Sequence, residues 1–261
     1  MKKCIWMFLL GLLVLVCLIG CSRKNDVSEE RTFIVGFDAN FPPYGYKVGD
    51  TYVGFDLDLA REVATRNNWK LVLRPIDWSS KDEELNSGAI DCIWNGFAIE
   101  GREQLYTWSE PYVNNCQVVL VLKQSPIQKL SDLKDKVIAI QNATPVQKAL
   151  GDNGSHSALG KTFKKLVLAP DYDEAIMQLE ADGIHAVILD ESIAIDKAKS
   201  GKFRILEENI FSGKNGIGFR KGDTELRDQV QKTLKEMVAD GTAGKISARY
   251  FDGRDVLIIG R

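Results

Sequence analysis

The segment VIAIQNATPVQKAL, residues 137–150, holds the fold in miniature. Val137–Ile140 is an apolar, strand-like run, and Thr144-Pro145 then opens a helix, with a hydroxyl at the capping position and proline at the first helical one. The same rhythm continues in both directions. Toward the C-terminus, Leu166–Leu168 reads as a strand and Ala175, Ile176 and Leu179 as one helix face. Ala186–Leu189 is a strand that runs straight into Asp190, and Leu226–Met237 and Lys245–Phe251 are helical. Toward the N-terminus, Phe33–Val35, Leu71–Leu73 and Ile90–Trp94 are strands. Between them lie a helix over residues 54–67, with Phe55, Leu59, Val63 and Ala64 on one face, and another over Ser80–Leu85. Alternating β and α elements imply an α/β protein with open parallel sheets flanked by helices on both faces.

The first twenty-one residues set the compartment. Lys2 and Lys3 precede an apolar run from Cys4 to Gly20, and Leu18-Ile19-Gly20-Cys21 closes it. A basic start, a short apolar region and small residues at its exit describe a secretory signal. The closing tetrad is similar to a bacterial lipobox, in which Cys21 is lipidated and becomes the mature N-terminus. An uncleaved anchor is the weaker alternative, because the run is marginal for roughly 30 Å of hydrocarbon. With two acyl chains on Cys21 the attachment is stable. Residues 21–31 then form the lipidated cysteine and a polar tether. Loss of Lys2 and Lys3 with the signal moves the formal charge from −2 to −4, so no basic surplus invites nucleic acid. Of five cysteines, Cys92 and Cys116 remain in the body outside any metal pattern. They are free or bridged, and the apolar setting of Cys92 favours free. His156 and His185 are the only histidines, too few for a histidine triad or metal cluster, and no cofactor is implied.

In open α/β sheets, ligands bind beyond the carboxyl ends of the strands. That rule singles out Asp38, Asn95, Thr144 and Asp190, together with Phe41, Trp78, Gly96 and Arg102 nearby. A zwitterionic solute needs a bidentate cation for its carboxylate and an anion for its ammonium. Arg102 and Asp190 supply those charges from opposite halves of the chain. The helix start at Thr144-Pro145 adds backbone donors, and Phe41 and Trp78 offer rings on two sides. Each has a plainer reading: Arg102 as a solvated surface residue, Asp190 as a helix N-cap, Asp38 as a turn cap, and the two aromatics as core.

Taken in order, D-x-x-F-x-P-Y (Asp38–Tyr44), G-F-D-L-D-L-A (Gly54–Ala60), S-G-x-I-D-x-I-x-N-G (Ser87–Gly96), W-S-E-P-Y (Trp108–Tyr112) and the ending Gly244–Asp252 make a pattern. It resembles the family 3 extracellular solute-binding proteins, the substrate-binding components of importers for polar amino acids. The resemblance implies a two-lobed periplasmic-binding-protein-like clamp, each lobe a mostly parallel sheet flanked by helices. Lobe one would be residues 31–115 plus 215–261 and lobe two residues 116–214, joined by a two-strand hinge. It implies Arg102 as carboxylate clamp, Asp190 as ammonium acceptor, Thr144 in the helix start that also holds the carboxylate, and Gly96 as a backbone carbonyl to the ammonium. Phe41 and Trp78 become side-chain walls and Asp38 the polar contact at the far end. Three departures stand out. Ala98 replaces a usual Ser or Thr, the segment Ile99–Arg102 is one residue short, and Asn142-Ala143-Thr144-Pro145 has Ala where Gly is common and Pro where an N–H is expected.

The expected function is a lipid-anchored, monomeric receptor on the extracytoplasmic face of the membrane. It captures a free polar amino acid, basic first and glutamine second, and hands it to an ABC permease. It is not an enzyme. Two rivals use the same fold: a ligand-sensing module, and an exported dehydratase-like enzyme.

Overall fold

The computed structural model describes residues 31–260. The signal segment 1–20, Cys21 and most of the tether lie outside the described residues. The strands, in chain order, are β1 (Thr32–Phe37), β2 (Asn40–Phe41), β3 (Gly45–Val48), β4 (Thr51–Val53), β5 (Lys70–Pro75), β6 (Cys92–Ile93) and β7 (Thr107–Trp108). They continue with β8 (Val113–Leu122), β9 (Val137–Gln141), β10 (Lys165–Ala169), β11 (Ala186–Asp190), β12 (Phe203–Ile205), β13 (Phe211–Asn215) and β14 (Gly218–Phe219).

Two large sheets form, one per lobe. The first has the order β5-β1-β6-β14-β7, and the second has the order β10-β9-β11-β8-β12, with β13 also on β8. In the first sheet β1 runs parallel to β5 and β6, with Val35 opposite both Leu73 and Cys92, whereas β14 is antiparallel to β6 and β7. In the second, β9 runs parallel to β10 and β11, and β8 is antiparallel to β11, β12 and β13. Each sheet is therefore mixed: a parallel trio flanked by one antiparallel strand, β14 in the first and β8 in the second, with the outer strands pairing antiparallel to it. The expected strand Ile90–Trp94 pairs only over Cys92–Ile93. Its flanks still bond β1, Asp91 N–H to the Ile34 carbonyl (2.8 Å) and Trp94 N–H to the Gly36 carbonyl (3.1 Å).

The antiparallel strands have a topological cause. β8 begins at Val113, bridged to Leu257 beside the first sheet, and ends at Leu122 deep in the second. β13 returns along it, from Phe211 opposite Gln117 to Asn215 opposite Val113, and Asn215 then bridges Ala98. Two antiparallel strands thus carry the chain between the sheets.

Helices cover both faces of each sheet. One apolar cluster runs continuously through both lobes, from Phe33 and Leu59 to Leu189 and Phe203. A second, around Ile138, Val146 and Ile188, lines the other face of the second sheet, and a third, around Trp78, Ile93 and Phe97, that of the first. β11 is buried at every position, as expected of a central strand packed on both sides. Burying each such Val, Ile or Leu contributes roughly 1.5–3 kcal/mol. The helix Phe55–Arg66 starts as the apolar spacing requires, at Gly54 with φ 144°. A Cβ there would lie 2.2 Å from the Tyr44 carbonyl oxygen, so only glycine fits.

Candidate functional site

The carboxyl ends of the parallel strands in both sheets converge. β1 ends one residue before Asp38, whose Oδ1 accepts the Asn40 N–H (2.8 Å) and closes a tight turn. The other oxygen, Oδ2, accepts Gln141 Nε2 (3.1 Å) from the end of β9 in the second lobe. Asp38 therefore caps a turn and also reaches across the cleft. Three further contacts cross with it. Asn40 Nδ2 donates to Asp171 Oδ2 (3.4 Å), and the Phe41 ring lies 5.8 Å from that of Tyr172. Arg102 donates from one guanidinium nitrogen to the Ala98 carbonyl (3.0 Å) and from the other to the Ala143 carbonyl (2.5 Å). The first of these lies in its own lobe and the second in the facing one. The cleft is closed.

On the second lobe, Asp190 ends β11 and occupies the N-cap position of the helix Glu191–Ala198, but its side chain makes no capping bond. It is turned inward instead. Oδ1 accepts from Asn115 and from Gln117 Nε2 (2.9 Å), and Oδ2 accepts the Tyr172 hydroxyl (3.1 Å). Thr144 caps nothing with its side chain either: its hydroxyl donates to the Gln141 carbonyl (2.8 Å) and braces the turn before the six-residue helix Pro145–Leu150. Ala143 sits at φ 57°, a left-handed conformation that explains why glycine suits this position.

Burial dominates the electrostatics. Asp190 has its pKa raised by burial, opposed by its Asn115, Tyr172 and Gln117 donors and by the Arg102 charge. Arg102 has its pKa lowered by burial, opposed among others by Tyr106, Asp82 and Asp190. Each of the two charges therefore supports the other across the cleft. Asp38 also has its pKa raised by burial; Asn40 and Gln141 counter this, while Asp171 and Asp173 add to it. The Asp38 end of the cleft is thus a negative region formed from both lobes.

Gly96 (φ 57°) donates its N–H to Asp56 Oδ2 (2.6 Å), and a Cβ there would sit 2.7 Å from the Tyr44 ring. Asn95 is buried, and neither of its side-chain polar atoms has a hydrogen-bond partner among the described residues. Trp78 is buried edge-to-face with Phe97, ring centroids 5.3 Å apart, and Phe41 packs between Tyr44 and Tyr172. The Cys92 and Cys116 thiols are free. Sequence reasoning missed Gln141, Tyr172, Asn115 and Gln117. Gln141 lies one residue past the expected strand Val137–Ile140, and Tyr172 three residues past the end of β10, so both fall under the strand-end rule. Asn115 and Gln117 share one face of a strand at a spacing of two, polar residues at the head of an apolar run.

The chain belongs to the bacterial extracellular solute-binding proteins, family 3, whose model matches residues 33–253. Among its relatives is the arginine-binding extracellular protein ArtP of Bacillus subtilis, 29% identical over 97% of this chain and 99% of that one. Another is the L-cystine-binding protein TcyJ of Escherichia coli, 26% identical over 95% and 96%. The solved structure of Tv2483 bound to L-arginine superposes with a TM-score of 0.83 at 26% identity, covering 88% of this chain and 94% of that one.

Proposed function

We propose that this protein is the substrate-binding component of an ABC importer for a polar amino acid, held by lipid on Cys21 at the extracytoplasmic face and working as a monomer. The observation that carries the reading is the buried pair Arg102 and Asp190, opposite charges set on opposite lobes. Asp190 accepts three hydrogen bonds, and a carboxylate takes about four, which leaves one for a ligand ammonium. Arg102 donates two, and a guanidinium has about five N–H groups, which leaves a fork for the carboxylate. Gly96 and Ala98 border this subsite with backbone, and Thr144 stiffens the turn that presents Ala143. Residues 31–115 plus 215–261 form one lobe and 116–214 the other, and opening occurs where β8 and β13 cross. Ligand contacts to both lobes then favour the closed form.

A basic side chain is favoured because Asp38, Asp171 and Asp173 make the far end negative. Glutamine ranks second, donating to the same oxygens. Calorimetric titration against the twenty amino acids plus ornithine and cystine tests the reading. One tight, saturable ligand with a positive or amide side chain is expected. Silence across the panel, or turnover of the ligand, would overturn it.

A further inference from the structure

Lys81 is a buried cation with no part in the pocket just described. It opens the helix Lys81–Asn86 directly after the turn that carries Trp78, and it is only 3% exposed. Its ammonium is poorly matched for so buried a charge. It lies 3.4 Å from the Trp78 carbonyl oxygen and 3.7 Å from the Asp82 carboxylate, which is itself more than half exposed. The other Asp82 oxygen already accepts the Tyr106 hydroxyl. Lys81 also stands over the Trp78 ring, 5.4 Å from its centroid. Trp78 meets Phe97 edge-to-face, and Arg102 stands over Phe97 at 4.9 Å. Two cations thus stack on the two rings of one aromatic pair, in the same wall of the cleft.

Arg102 has Asp190 across the cleft, but Lys81 faces only a half-exposed carboxylate, and a buried charge so poorly compensated is costly. Burial lowers the Lys81 pKa, Asp82 opposes the change and Arg102 reinforces it, so the two cations do act on one another. An anion seated at Arg102 would relieve both. We propose that Lys81 acts with Arg102 as a second cation for the ligand's carboxylate end, through its field and through its hold on Trp78, and so selects ligands with a free α-carboxylate. This rests on the amino-acid reading above.

The test compares the wild type with Lys81→Met, which keeps the apolar stem over Trp78, and Lys81→Arg, which keeps the charge. Each is titrated with L-arginine and L-glutamine and with their α-carboxamides, after circular dichroism and thermal melting have checked folding. Lys81→Met is expected to weaken the free amino acid about tenfold, the scale of one partly desolvated charge pair, and the carboxamide less than about twofold. Lys81→Arg is expected to stay within about threefold of wild type for both ligands. Equal losses for acid and amide would make Lys81 a packing residue, and no loss would make it a bystander. Either result overturns the inference while leaving the receptor standing. A wild type that binds none of the four ligands removes the amino-acid reading and this inference with it.

Discussion

Asp56 is the sharpest electrostatic test of how the turn at Gly96 is held. It is fully buried in the first turn of the helix Phe55–Arg66, and its Oδ2 accepts both the Gly96 N–H (2.6 Å) and the Tyr112 hydroxyl (2.7 Å). Burial raises its pKa from 3.8 to about 7, against the pull of the Tyr112, Gly96 and Trp94 donors. An acid whose folded pKa lies above its unfolded one keeps its proton longer in the folded state. Between pH 3.8 and about 7 the native protein holds one proton more than the unfolded chain, so stability falls as pH rises through that window and levels off above it. The gap of about 3 pH units corresponds to something on the order of 4 kcal/mol. Asp56→Asn keeps an acceptor for Gly96 but cannot ionise. Urea unfolding of wild type and variant at pH 4 and pH 8 isolates the contribution, because the other buried acids, Asp38 and Asp190, cancel in the difference. The variant should gain on the wild type by a few kcal/mol between the two pH values. A difference constant to within about 0.5 kcal/mol would show that Asp56 ionises in the fold as readily as in the unfolded chain, so that burial does not raise its pKa, and the reasoning would fail.

Other outcomes follow from the same geometry. Arg102→Ala and Asp190→Ala should each weaken amino-acid binding by about 3–5 kcal/mol, two to three decades or more in Kd by calorimetry, because each leaves a buried charge without its counterpart; binding like wild type in both would remove the pocket. Ala143→Gly should raise stability by about 1 kcal/mol in urea unfolding, since glycine accepts the φ of 57° without a Cβ penalty. An unchanged or lower midpoint would mean that this turn carries no strain. Cys21→Ser should leave the precursor without lipid in metabolic labelling with a fatty acid, and continued acylation would refute the lipobox.

Much of the architecture was legible because strand and helix periods are local. The Phe55–Leu59–Val63 spacing and the apolar run into Asp190 depend on nothing outside a dozen residues. What local patterns do not carry is pairing. In β8 the unbroken apolar run Val118–Leu122 is only the second half of the strand, and the polar head before it has a reason found far along the chain: Asn115 and Gln117 bond Asp190, 75 and 73 residues away. The antiparallel flank of the second sheet is built on that same strand. Thr144 shows the opposite failure. A hydroxyl before proline reads as a cap, yet the competing acceptor at Gln141 takes it, as short polar side chains commonly do in turns. For the aromatics, sequence named Phe41 and Trp78 but could not show that Tyr44, Tyr172, Phe97 and Lys81 already engage them.

Those engaged rings bear on how such a clamp selects its ligand. A side chain entering beside Phe41 must share that ring with Tyr172, whose hydroxyl is itself a donor to Asp190. Phe41, Tyr172 and Asp190 are therefore one mechanical unit, and a ligand that displaces Tyr172 also alters the Asp190 carboxylate, which on the proposed reading receives its ammonium. The same holds for Asp38, which shares Gln141 with the far lobe. Contacts such as Asp38–Gln141 and Arg102–Ala143 favour closure in their own right, so a ligand adds affinity only through what it gains beyond them. Selectivity would then reside less in any single charge than in whether a solute can satisfy Arg102, Asp190 and Asp38 together without undoing the bonds that already span the cleft.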